Sequence, residues 1–220
     1  MRVSRILLAI LASVAFFSSP VLGQVQRSDL ESAKNLLKEG HADQALALVD
    51  PIITQAMLKD ANNPTATCPS AAAAVLQLFM KGDFSISVEN DWCEAMLVKG
   101  YALNELKRST EAEEVLKTLV GHAPNDAQYL IEYAYTVRLN GGLERALSLY
   151  KQAEKLASKI QNRKSAAHWQ AAALRGQGYA YIDLQRWDDA TKAYQRSFKY
   201  EPENEIARNE LRYIEEHRPH

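Results

Sequence analysis

Apolar residues recur three and four positions apart along most of this chain, the spacing that lines one face of an α-helix. From Ser28 to Glu39 that face is Leu30, Ala33, Leu36 and Leu37. Ser28 followed by Glu31 makes a capping-box pattern that predicts the start of this helix, and Gly40 ends it. A second helix is expected from about Ala42, carrying Ala45, Leu46, Leu48, Val49, Ile52 and Ile53. Pro51 lies inside it and predicts a kink or break, because proline lacks the N–H and crowds the preceding turn. From Cys93 onward helical periods come in pairs. Glu144 to Gln161 reads as one long helix, closed by Asn162 to Ser165. Glu203 to His217 reads as a final amphipathic helix with Ile206, Leu211 and Ile214 on one side.

Residues 60–91 do not follow this pattern. Asn62-Asn63-Pro64 and Cys68-Pro69-Ser70 mark a loop, and Ala71 to Lys81 reads as a helix. Phe84, Ile86 and Val88 then alternate with polar residues, as in a short strand or an anchored extended loop.

The paired helices carry an internal period. In Ala171 to Pro202, the residues Gly178, Tyr181, Ala190, Tyr194 and Pro202 are spaced by 3, 9, 4 and 8. Gly100, Leu103, Ala112, Leu116 and Pro124 repeat the same spacing, and Ala134, Val137, Ala146 and Tyr150 repeat it again. Ala112 and Ala146 are 34 residues apart, and Ala146 and Ala190 are 44 apart; the extra ten are expected to lengthen the hairpin between them. Ala33 and Ala45 occupy the two small-residue positions of a weakened earlier copy. This pattern resembles the tetratricopeptide repeat, a helix-turn-helix unit of about 34 residues with small residues where its helices cross. The resemblance covers 92–204 well and 28–57 weakly. It implies an all-α, right-handed superhelical solenoid. Its parts would be a first repeat at 28–59, an insertion at 60–91, repeats at 92–126, 127–165 and 166–204, and a capping helix at 205–217. A terminal cap is needed because the last repeat otherwise leaves its apolar edge in water.

Composition is that of an ordinary globular protein: 47% hydrophobic, 24% charged, with a formal net charge of −1. No nucleic-acid surface is indicated. The runs 111–114 and 151–164 read as solvated helix faces. Residues 1–23 read as a secretory signal peptide: Arg2 and Arg5 start it, Ile6 to Phe17 is apolar, and Val21-Leu22-Gly23 precedes a cut ahead of Gln24. That apolar run has 12 residues, short of the roughly 20 that span a bilayer. The mature chain would hold 24 basic and 27 acidic residues, a net of −3, with no membrane span. A periplasmic location is expected, or secretion outside Gram-negative cells.

Two cysteines in an exported chain predict a Cys68–Cys93 disulfide, with two free buried thiols as the alternative. A redox pair is not expected without a Cys-x-x-Cys arrangement. Histidines 41, 122, 168, 217 and 220 are scattered without metal-ligand spacing, and no phosphate loop, nucleophile elbow or dinucleotide fingerprint occurs. No cofactor and no catalysis are expected; an enzyme would require polar groups converging from separate repeats.

In the tetratricopeptide family the residue after the small Gly/Ala position points into a concave groove. Here that row is Tyr101, Tyr135 and Tyr179, interrupted at Lys34 in the first repeat. The same register implies groove positions Glu94, Leu97, Asn104 and Glu105, then Gln128, Ile131, Arg138, Arg175 and Asp183. Tyrosine buries a large area and keeps a hydroxyl for directional bonding, which suits peptide recognition. Packing between neighbouring helices is the other reading of the same row. Some family members clamp a partner's C-terminal carboxylate with Lys and Asn. Leu97 and Ile131 stand where lysine is needed and tyrosine stands where Asn is needed, so no such clamp is expected. The function this implies is a non-catalytic scaffold or adaptor holding a protein segment. The alternative is a specific inhibitor or immunity-type binder of another exported protein.

Overall fold

A computed structural model describes residues 20–60, 68 and 91–219. Among them are nine α-helices: α1 Pro20–Lys38, α2 Ala42–Asp60, α3 Asp91–Glu105, α4 Ser109–His122, α5 Ala127–Leu139, α6 Leu143–Ala157, α7 Arg163–Asp183, α8 Trp187–Ser197 and α9 Glu205–His217. Each packs on the next in sequence, with α2 meeting α3 across the insertion; α1 also touches α3, and α5 touches α7.

Four of the inter-helix turns, those after α1, α3, α5 and α7, are the same object. Gly40, Lys107, Gly141 and Gln185 take φ of 80°, 61°, 82° and 57°. Each lies seven residues after the small position of its helix (Ala33, Gly100, Ala134 and Gly178). The next residue's N–H reaches back to the carbonyl five positions earlier: His41 to Leu36, Arg108 to Leu103, Gly142 to Val137, Arg186 to Tyr181. The left-handed residue itself bonds three back, to Leu37, Asn104, Arg138 and Ile182. These two bonds make a Schellman motif, which satisfies carbonyls that the helix end leaves open. Twelve residues after each small position stands a fully buried alanine: Ala45, Ala112, Ala146 and Ala190.

The small residues earn their place by contact. A Cβ built on Gly100 would stand 2.7 Å from Leu116, and one on Gly178 would stand 2.5 Å from the Tyr194 ring. Both partners come from the second helix of the same pair, 16 positions on. Gly176 makes the equivalent approach between pairs, where its Cβ would lie 2.2 Å from Tyr150 of α6. Tyr150 and Tyr194 are therefore enclosed at 2% and 0% exposure. Burying a side chain of this kind contributes roughly 2–3 kcal/mol.

Four expectations change. Helix α1, Pro20–Lys38, runs through Ser28, so the Ser28–Glu31 pattern is not a helix start. The helix runs through Gly23, which weakens a helix interior by about 1 kcal/mol against alanine without breaking it. Of the kink or break expected at Pro51, the break is absent, and helix α2 continues to Asp60. The long helix expected to Gln161 stops at Ala157. Asn162 instead caps α7 by accepting the Ser165 N–H at 3.0 Å, and the extra residues lengthen α7 to 21. On α9, Ile206 is exposed, while Ala207 and Ile214 are buried.

The Cys68–Cys93 disulfide is present, with Cα atoms 6.1 Å apart. The Cys68 N–H also bonds the His122 carbonyl at the end of α4. The signal-peptide segment 1–19 and the insertion helix and strand expected within 61–90 lie outside the described residues. No helix among the described residues is long and apolar enough to cross a membrane.

Candidate functional site

The first helices of the four pairs bring the tyrosine row onto related positions, but the two halves of that face differ. At the α1–α3–α5 end lies a cleft of about 460 Å³. Leu37, Leu97 and Val98 give it an apolar floor, flanked by Tyr101 and Tyr129. Lys34, Lys38, Glu94, Glu105 and Gln128 complete its lining. The Tyr101 hydroxyl donates to the Glu132 carboxylate and accepts from Gln128, and burial pushes its pKa far above the ordinary phenol range. Burial also raises the Glu132 carboxyl, against the opposing effect of the Tyr101 bond. Lys34 bonds Glu31 at 3.0 Å and also bonds Glu94. Burial disfavours its ammonium, but these carboxylates outweigh that and raise its pKa.

At the α5–α7 end the same face is filled by its own side chains. The Arg138 guanidinium lies 5.5 Å from the Tyr135 ring centre and 5.3 Å from that of Tyr179. Its Nη1 donates to Asp183 at 2.6 Å. It also hydrogen-bonds the Tyr150 hydroxyl beneath it. Tyr179 stands edge-on to Tyr194 at 5.8 Å and bonds Glu210 of α9. Cation–π contacts of a partly desolvated arginine contribute about 1–2 kcal/mol.

Glu94, Tyr101 and Gln128 thus come together around the cleft, with Leu97 and Glu105. Tyr135, Arg138, Tyr179 and Asp183 come together in the stack. The other three groove positions, Asn104, Ile131 and Arg175, are not part of either group. Asn104 donates to Thr136 at 2.7 Å, tying α3 to α5. Arg175 pairs with Glu201, which also holds His168 Nδ1 at 2.8 Å and accepts from Asn204 at 2.9 Å. Ile131 is buried at 8% exposure. The register missed Leu37, Lys38, Val98 and Tyr129. Lys38 lies one turn beyond Lys34 on α1, the only signal that places it on this face. No group of three His, Cys, Asp or Glu among the described residues is arranged to hold a metal ion. No family model matches this sequence, and no curated protein matches it.

Proposed function

We propose that this chain is an exported tetratricopeptide-type solenoid that works without catalysis, as an adaptor holding a segment of a partner protein in the α1–α3–α5 cleft. The observation that carries the reading is the recurrence of one hairpin geometry at Gly40, Lys107, Gly141 and Gln185. A repeated hairpin sets its first helices side by side, and a row of side chains then forms one continuous binding face. Of that face, the cleft is the part that the described residues leave open. Its apolar floor is sized for one or two apolar side chains, and Lys38 and Glu105 on its rim make no ion pair among the described residues. Export rests on the leader pattern at 1–23 together with the Cys68–Cys93 disulfide, a bond that persists in oxidising compartments. Cleavage ahead of Gln24 would leave Lys34, Leu37 and Lys38 in place.

The test is site-specific photocrosslinking from the exported protein in its native cells. A photoreactive residue replaces Lys38 or Glu105 on the cleft rim, and a control replaces Lys117 on α4. One discrete protein adduct from both rim positions and none from 117 supports the cleft. Adducts from 117 alone would move the site to the second helices.

A further inference from the structure

The chain's charge is unevenly distributed. Residues 143–200 hold eleven Lys and Arg against five Asp and Glu, a net of +6, while the rest of the mature chain holds thirteen against twenty-two. The folded arrangement sharpens this contrast, because all five of those carboxylates are already engaged. Glu144 and Asp189 face Arg186, Glu154 pairs with Arg196, Asp183 with Arg138, and Asp188 with Arg218. Lys155, Lys159, Arg163, Lys164 and Lys192 are exposed and have no ion pair among the described residues. The Glu154–Arg196 bridge ties α6 to α8 one residue from Lys155 and one turn from Lys192, while Lys159 lies in the turn into α7 and Arg163 and Lys164 in its first turn.

We propose that this α6–α8 surface docks an acidic segment of a partner protein, at a site separate from the cleft. Charge complementarity selects the sign of the partner, and the side-chain inventory selects its class. Every exposed large apolar side chain among the described residues lies outside 143–200. The surface therefore has no exposed apolar wedge to insert into lipid. Four of the five free cations are lysines, point charges without the planar fork that matches phosphate. Lys151 and Lys155 stand one turn apart on α6, about 6 Å. Carboxylates along one side of an acidic helix or an extended acidic strand recur at about that distance. Such a surface accelerates encounter and orients the partner, and its effect is screened beyond about 8 Å at physiological salt.

The experiment titrates the mature protein into a short fluorescein-labelled oligoglutamate and follows anisotropy at low and at physiological salt. Binding should weaken steeply with salt. The triple variant Lys155→Gln, Lys159→Gln, Lys164→Gln should lose at least about tenfold in affinity. A variant with the same charge change elsewhere, Lys107→Gln, Lys117→Gln, Arg212→Gln, should stay within about twofold of wild type. All three proteins are first shown to melt together. Equal losses in both variants would reduce the effect to net charge and overturn the site. Absence of oligoglutamate binding at low salt would overturn it too. So would capture by phosphatidylglycerol vesicles that oligoglutamate cannot displace, which would assign the surface to a membrane. Crosslinking at the cleft rim is unaffected by any of these outcomes.

Discussion

The two ends of the tyrosine face obey one register and reach opposite states. At the α1–α3–α5 end, Tyr101 bonds sideways to Glu132 and Gln128 and leaves an apolar cleft beside it. At the α5–α7 end, Arg138 lies against two tyrosine rings and its guanidinium is held by Asp183, so that face is closed by its own side chains. The difference comes from single residues at equivalent places. Four positions after Leu97 and Ile131 come Tyr101 and Tyr135, but three residues further on the chain places Asn104 in one helix and Arg138 in the next. Asparagine is short and is spent on Thr136. Arginine is long enough to cross to α7. A repeated backbone thus fixes where side chains stand, and their reach decides whether a surface stays open or becomes packing.

The largest expected effect breaks the closed half alone. Gly178→Leu drives a side chain into the Tyr194 ring, which is already within 2.5 Å of a bare Cβ. Overpacking against a buried ring should cost about 3 kcal/mol or more. Hydrogen exchange should accelerate in α7, α8 and α9 while α1 to α4 keep their protection, as expected of units that contact only their neighbours. An unchanged melting temperature would refute the register, and uniform loss across the chain would refute the separation into two halves.

Next in size is Arg138→Ala. It strips Asp183 of its partner and removes the cation between two rings. Asp183 is about one-third exposed, so the loss should fall below that of a fully buried pair, at about 1–2 kcal/mol. Lys38→Ala on the cleft rim, which makes no ion pair among the described residues, should stay within about 0.5 kcal/mol. Chemical denaturation of both variants measures the contrast, and equal effects would dissolve it.

A pH experiment sharpens the other side. The Glu132 carboxyl is raised by burial, so the folded state holds its proton more tightly than the unfolded chain does. Its unfavourable contribution is therefore absent at pH well below the unfolded value and grows as pH climbs through the folded one. Glu132→Gln keeps an acceptor for the Tyr101 hydroxyl without the charge. It should raise the melting temperature at pH 7 and leave it little changed at pH 4; a destabilised variant at pH 7 would show that the charge itself holds Tyr101. Glu201 has the opposite sign. Burial pushes it up, but the bonds from His168 and Arg175 outweigh this and lower its pKa, so its contribution fades as the medium becomes acidic.

Much of the architecture was legible because the repeat writes it in pairs: Gly100 with Leu116 and Gly178 with Tyr194, a small residue and the large one that covers it. The α6–α7 boundary was misread for a physical reason. Lys155 to Gln161 contains no Gly or Pro, so nothing local announces a stop. The cap at Asn162 belongs to the next helix and wins only when α7 packs. The site was legible as a face and not as a set of contacts. Arg138 meets Asp183 45 residues away, and whether two such chains touch depends on the lateral spacing of helices, which linear spacing does not encode.

The smallest expected effect tests the element both halves share. Two of the four hairpin turns carry a non-glycine residue in the left-handed region, Lys107 at φ 61° and Gln185 at φ 57°. There the Cβ crowds the following carbonyl, a cost of about 1–2 kcal/mol that glycine avoids. Replacing either by glycine relieves this strain but also loosens the unfolded chain, so the net gain should be about 0.5–1 kcal/mol at each position. Gly40→Ala and Gly141→Ala should lose about as much, although neither glycine has a neighbour among the described residues within 4 Å of its missing Cβ. Backbone conformation is then the sole cause in all four, and thermal unfolding of the four single variants reads it directly. Gains at 107 and 185 with losses at 40 and 141 would establish that the open and closed halves rest on one turn geometry. A loss at 107 or 185 would mean that the side chain there contributes contacts worth more than the strain.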